Sequence, residues 1–199
     1  MSLRSQILKV SRSILMEDGF SSLSMRKIAR EIDVSATSIY LHFKNKDHLL
    51  LTLIEESVEE LNRKILHLAE SDAGPLEKIS KIARGYVDFG LTQPQIYEVI
   101  FMLRPEEMPR YPKEKFRKAR RGYEVLANVI RQGVKTEEIV EEDPLMSAYT
   151  IWAQLHGVIS VIINRRLDTR IAEGEFIDHA IEHIVEGFLV SKSPAHLTR

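Results

Sequence analysis

The sequence predicts an all-α protein of about nine helices, in which a three-helix head containing a helix-turn-helix is joined by a long helix to a larger helical body. Three observations predict it. Apolar residues recur at three- and four-residue spacing along most of the chain, strand-like alternation is absent, and Gly, Pro and small polar residues stand where helix caps and stops are needed. The head is assigned to residues 1–46 and the body to 47–199.

A first helix is expected from about Leu3 to Asp18, burying Ile7, Leu8, Val10, Ile14 and Leu15 and stopping at Gly19. Ser24 is placed to cap a second helix with Ile28, Ala29 and Ile32 on one face, and Ser35 to cap a third with Ile39 and Phe43 at i, i+4. Asp33 stands in the turn between them. Asn45 caps a long helix to about Ser71, whose Leu49, Leu50, Leu53, Ile54, Val58, Leu61, Ile65 and Leu68 keep the helical period. No Gly-, Pro- or Ser-rich linker separates head from body, so the long helix is itself the connection.

Pro75 opens the next helix, to about Leu91, and Gln93-Pro94 begins a short one through Phe101. Arg104 to Pro112, with three prolines, reads as an irregular loop. A charged helix follows from about Lys113 to Lys135, with Phe116, Tyr123, Leu126 and Ile130 inward. Two last helices, about Pro144–Arg166 and Glu175–Ser191, are separated by a polar connection ending at Gly174.

Composition narrows the function classes. The chain has no cysteine, which removes disulfides and thiolate metal sites and fits a reducing cytoplasm, the expected location. No targeting signal opens it, and no uninterrupted apolar run approaches the ~18 residues of a membrane span, so no membrane partner is expected. The net charge of −1 hides an asymmetry: residues 1–46 carry eight Lys/Arg against four Asp/Glu, and the remainder is acidic. A basic head on an acidic body suits a phosphate-binding module attached to something that does not bind nucleic acid.

The second and third helices carry the sharpest signal. A short helix packed through Ile39 and Phe43 turns Thr37 and Leu41 outward, with hydroxyls along its outer face, which suits insertion into a DNA major groove. Arg26 to Ala29, Val34-Ser35, Tyr40 to Phe43, and Lys46 leading into Leu49-Leu50 resemble the TetR family of bacterial transcriptional regulators. The departure is Asp33, where the family usually has Gly; Asp enters the left-handed backbone region at modest cost. The resemblance implies that Arg26, Thr37 and Leu41 lie at base edges, Arg26 suited to guanine and Leu41 to a thymine methyl. Ser24, Ser38, Tyr40, His42 and Lys46 are suited to phosphates.

The helix at 144–166 is apolar on nearly every side. Ala148, Ile151, Leu155, Val158 and Ile162 form one stripe, and Leu145, Tyr149, Trp152, His156, Ile159 and Ile163 another, as in a helix buried from two directions. Trp152-Ala-Gln-Leu-His156-Gly157 resembles the WHG C-terminal domain of a TetR branch, and the stretches from Tyr97 to Met102 and Tyr123 to Leu126 fit that branch in outline. Tyr86, Phe89, Tyr97, Phe101, Phe116, Tyr123, Tyr149 and Trp152 form either a filled core or, as the resemblance favours, a ligand cavity with His156 as its polar anchor. The expected ligand set is Tyr86, Phe89, Phe101, Phe116, Tyr123, Tyr149, Trp152 and His156. A dimer interface is expected over the last two helices, through Ala153, Gly157, Ile177, Ile181, Ile184 and Phe188.

His179, Glu182, His183 and Glu186 share one helical face at a spacing that can bind a divalent metal, but the opposite apolar face makes a solvated stripe the simpler reading. No metal or cofactor is expected. No nucleophile elbow, phosphate loop or zinc-protease His pair occurs, and an enzyme is not expected. The expectation is a homodimeric regulator, a repressor, that binds double-stranded operator DNA and is released by a small-molecule effector. The alternative is a helix-turn-helix protein of the same fold with no ligand, controlled by a protein partner or acting architecturally.

Overall fold

The structure, a computed structural model, describes residues 1–101 and 120–189. Among the described residues there are nine α-helices, one 3-10 turn and no strand. They are α1 (Leu3–Asp18), α2 (Met25–Glu31), α3 (Ala36–Tyr40), α4 (Lys46–Ala69), α5 (Pro75–Thr92), α6 (Pro94–Phe101), α7 (Arg121–Lys135), α8 (Pro144–Ile163) and α9 (Glu173–Glu186), with the 3-10 turn at Phe20–Ser22. The expected loop at 104–112 and the first turns of the helix expected from Lys113 lie outside the described residues.

Two compact units form, one from Met1–Glu60 with Gln93–Lys118, the other from Leu61–Thr92 with Ala119–Arg199. The division therefore differs from the expected break at 46/47: the first four turns of α4, and α6, belong with the head. The reason is packing. Leu49, Leu50, Leu53, Ile54 and Val58 of α4 are buried, and Arg12 of α1 joins Glu56 and Glu60 of α4 at 3.8 Å each and donates to Gln93 Oε1, just before α6, at 3.4 Å. Residues on α1, α4 and α6 line a partly open pocket of about 10 Å³, room for about one water molecule.

Local chemistry sets the boundaries of the first unit. The Ser2 hydroxyl accepts from the Ser5 N–H to start α1, and Gly19, at φ 76°, ends it with its N–H on the Leu15 carbonyl. That left-handed conformation is open to glycine without strain. Ser24 and Ser35 accept from the N–H groups of Lys27 and Ser38, opening α2 and α3. Asn45 Oδ1 accepts from the His48 N–H at 2.8 Å to open α4.

In the second unit α8 packs against α5, α7 and α9, and α5 against α7 and α9. Arg84 of α5 pairs with Asp178 of α9. The helices approach closely where α5 has Gly90, beside the fully buried Ile159 of α8. Gly174, expected to end the polar connection before the last helix, lies in the first turn of α9, which starts at Glu173, two residues earlier than expected. The 20 residues of α8 carry no charge, so by length and composition it could cross a membrane. Its packing on three body helices makes it the body's central helix.

Gly90→Ala tests that approach. A Cβ there would lie 2.8 Å from two carbons of Ile159, and overpacking of about 1–3 kcal/mol should exceed the ~1 kcal/mol of helix propensity gained. Urea unfolding should show a net loss of stability; a gain would mean the two helices are free to part.

Candidate functional site

α3 is five residues long, and Ile39, in its last turn, and Phe43, three residues beyond its end, are both 0% exposed. The chain continues past α3 in a tightened turn, with the His42 and Phe43 N–H groups both donating to the Ile39 carbonyl at 3.0 Å. The helix is shorter than the Ile39–Phe43 repeat suggested, yet Phe43 still reaches the core. Asp33 adopts φ 54°, so the turn between α2 and α3 takes the left-handed form despite lacking glycine. The Val34 N–H closes it on the Ala29 carbonyl at 3.0 Å.

This framework turns Ser24, Arg26, Thr37, Tyr40, Leu41 and His42 to solvent. Leu41 is 81% exposed. Ser24 uses its oxygen for the cap, leaving its hydroxyl proton to donate elsewhere. Ser38 is half-buried, its hydroxyl 2.9 Å from that of Ser35. Lys46 is held differently from the expectation of a free phosphate contact: its ammonium donates to the Phe20 carbonyl at 3.3 Å and lies 4.2 Å from the centre of the Phe20 ring. Burial lowers its pKa, partly offset by Asp47. Lys46 thus ties the start of α4 to the turn before α2, with two N–H groups left over.

His48 was not singled out in the sequence. It reinforces the start of α4, donating its backbone N–H to Asn45 Oδ1 and accepting on Nδ1, at 3.2 Å, the N–H of Lys44, the residue before the cap. The signal was there, in Asn45 followed three residues later by a side chain able to reach back, with His in place of the usual Glu or Gln.

In the body, Tyr86, Tyr123, Tyr149, Trp152 and His156 come together. Tyr123 stacks on Tyr149 with centroids 4.4 Å apart and meets Trp152 edge-on at 5.7 Å. Trp152 stacks on His156 at 5.3 Å and donates its indole N–H to the Tyr86 oxygen at 2.8 Å. Burial, with the neighbouring Tyr86 and Tyr149, raises the Tyr123 pKa well above the ordinary phenol value. Phe89 is buried in the same unit. Phe101 is not part of this group: it belongs to the first unit, against Tyr97 at 4.8 Å. Phe116 lies outside the described residues.

The dimer set divides. Ala153 and Gly157 are exposed, with nothing within 4 Å of a Cβ built at Gly157. Ile177, Ile181, Ile184 and Phe188 must be reassigned: they are 4 to 7% exposed in the single chain, where α9 packs on α5 and α8. Their periodicity marked a buried face, but their own subunit buries it. On the opposite side of α9, His179, Glu182, His183 and Glu186 are exposed, and among the described residues no three His, Asp or Glu side chains converge on one ion position.

A capped five-residue helix, locked from behind and set after α2 by a tight turn, makes this a helix-turn-helix protein. Two family profiles extend this over the chain: one described as bacterial regulatory proteins, tetR family, matches residues 7–53, and one described as Tetracyclin repressor-like, C-terminal domain, matches residues 79–186. The chain belongs to the TetR family of bacterial transcriptional regulators. The second profile supports a TetR-type body without distinguishing the WHG branch.

A fatty acid metabolism regulator protein of Bacillus subtilis is 23% identical over 137 residues, 68% of this chain and 70% of that protein. A Rhodococcus sp. RHA1 protein of unknown function shares the fold at TM-score 0.83, with 22% identity over 94% of this chain and 96% of its own. The transcriptional regulator FadR from Bacillus subtilis, in complex with stearoyl-CoA, shares it at TM-score 0.72, with 19% identity over 92% and 98%.

The His156 environment gives a pH prediction. Burial lowers its pKa below the ordinary value near 6.5, so the folded state resists a proton that the unfolded chain accepts. Its contribution to stability is intact above about pH 6.5 and is lost as pH falls toward the depressed pKa. His156→Phe keeps a ring against Trp152 and removes the titration. Urea midpoints between about pH 7.5 and 5 should fall less for the variant than for the wild type; equal falls would show that His156 protonates freely in the folded state.

Proposed function

We propose that this regulator is a cytoplasmic homodimer that represses transcription from near-palindromic operator DNA and is released by a small, mostly apolar ligand. The observation that carries the DNA-binding part is the outward set on the helix-turn-helix. Arg26, Thr37 and Leu41 would meet base edges, with Arg26 bidentate to guanine and Leu41 against a thymine methyl. Ser24, Ser38, Tyr40, His42 and the remaining donors of Lys46 would meet phosphates. One short helix covers few bases, so two are needed, about 34 Å apart, to enter successive major-groove turns.

The dimer reading rests on the open face of α8. Met146 is 61% exposed, Ala153 and Gly157 lie about two and three turns further along, and no residue of the helix is charged. Small residues on an uncharged exposed face suit close approach of the same helix from a second copy. Because a Cβ at Gly157 meets open space within one chain, Gly157→Trp should leave the subunit folded and disrupt only the dimer. Light scattering should show a monomer with native helical content and weakened operator binding. A wild-type monomer with full operator affinity would defeat the model.

The ligand reading rests on the cluster around Trp152, whose rings offer apolar walls and whose polar tips offer hydrogen bonds. The similarity to a Bacillus subtilis fatty acid metabolism regulator, and to a Bacillus subtilis regulator structure in complex with stearoyl-CoA, agrees with an acyl chain carrying a polar head. A ligand favouring one arrangement of the body's helices would act on the head through α4, which is shared by both units; its effect is limited to its differential affinity for the two states. The second reading, with no small-molecule ligand, is favoured by one observation: Tyr123, Tyr149, Trp152 and His156 already occupy one another's faces. Trp152 is the only tryptophan and reports directly. Titrating stearoyl-CoA should shift its emission over the same concentrations that release operator DNA. Release with unmoved Trp152 emission would place the pocket elsewhere, and no release by acyl-CoAs or fatty acids would favour the second reading.

A further inference from the structure

Arg4 lies on α1, outside the helix-turn-helix, yet its guanidinium stands 5.3 Å from the centre of the Phe43 ring. Phe43 is the buried anchor that follows the exposed Tyr40, Leu41 and His42 and precedes the exposed Lys44. The fold thus brings a cation from the start of the chain to the flank of the segment that faces DNA.

Several other cations of the head are engaged. Arg12 pairs with Glu56 and Glu60, Lys27 with Asp18 at 2.6 Å, and Lys46 with the Phe20 carbonyl. Arg4 is exposed, and among the described residues it has no carboxylate partner. Its planar group is nevertheless oriented by the aromatic ring beneath it. A guanidinium held in this way surrenders less side-chain freedom on meeting a phosphate and keeps its five N–H donors in a fork that matches two phosphate oxygens.

We propose that Arg4 is a phosphate-binding residue of the DNA interface, adding a backbone contact from α1 beside the contacts of the helix-turn-helix. The inference rests on the DNA-binding reading above. A phosphate contact carries no sequence information, so it strengthens binding to every duplex alike and appears in the salt dependence.

Random-sequence duplex DNA is therefore a sufficient probe. Arg4→Met keeps an unbranched apolar stem over Phe43 and removes the charge. It should lower the slope of log K against log salt by about 0.9 in magnitude, the value for one phosphate, with an unchanged thermal midpoint. Arg4→Lys should restore the slope. Lys9→Met removes the same charge from the same helix, at a position turned about 140° away, and should leave the slope at its wild-type value. An unchanged slope in Arg4→Met, or an equal loss in Lys9→Met, overturns the assignment of Arg4 while the DNA-binding reading stands. A wild-type protein that binds no duplex at all overturns both.

Discussion

A helix of five residues closes little more than one turn, and its few internal hydrogen bonds do not repay the order they impose, so α3 exists only because its surroundings hold it. The hold has two parts. Ile39 and Phe43 are wholly withdrawn from water, and the hydroxyl of Ser35 satisfies the backbone at the start. Everything on the outer face then follows from that inner constraint: with Ile39 and Phe43 fixed, Thr37, Tyr40, Leu41 and His42 have nowhere to point but out. Phe43 is also where Arg4 of α1 and His48 of α4 meet α3. One buried ring therefore sets the position of the recognition helix against both longer helices of its unit.

In the body α8 has a comparable role with the opposite balance, for its 20 residues are long enough to pack on α5, α7 and α9 at once. Its three faces do different work. Ala148, Ile151, Leu155, Val158 and Ile159 fill the core; Tyr149, Trp152 and His156 build the aromatic cluster with Tyr86 and Tyr123; Met146, Ala153 and Gly157 are left outward. A helix with so little polar surface must find cover on more than one side.

Much of this was legible in the sequence because caps and periodicity are local. Ser24, Ser35 and Asn45 declare helix starts, Gly19 and Pro75 a stop and a start, and each is where the structure has it. What was not legible is what a buried face is buried against. The spacing of Ile177, Ile181, Ile184 and Phe188 identifies an apolar stripe, but a stripe covered by α5 and α8 reads the same as one covered by another subunit. The unit boundary inside α4 was hidden for the same reason, since an unbroken helical period gives no sign of where its partners change. Phe101 shared a composition with the Trp152 group, not a place.

Charge counting met the same limit. The basic excess of residues 1–46 drew attention to the head, yet a formal charge does not say whether its group is spent within the fold. Arg12 and Lys27 are paired with carboxylates, and Lys46 is half-buried on a carbonyl and a ring. These cations tie α1, α4 and the turn before α2 into one unit; Arg12 and Lys27 are offset there by carboxylates, whereas Lys46, on an uncharged carbonyl and ring, keeps its charge and two N–H donors. The cations of the head left exposed are Arg4, Lys9, Arg26, Arg30 and Lys44. The head is thus built from two populations of like charge, one that fixes its shape and one that its shape presents.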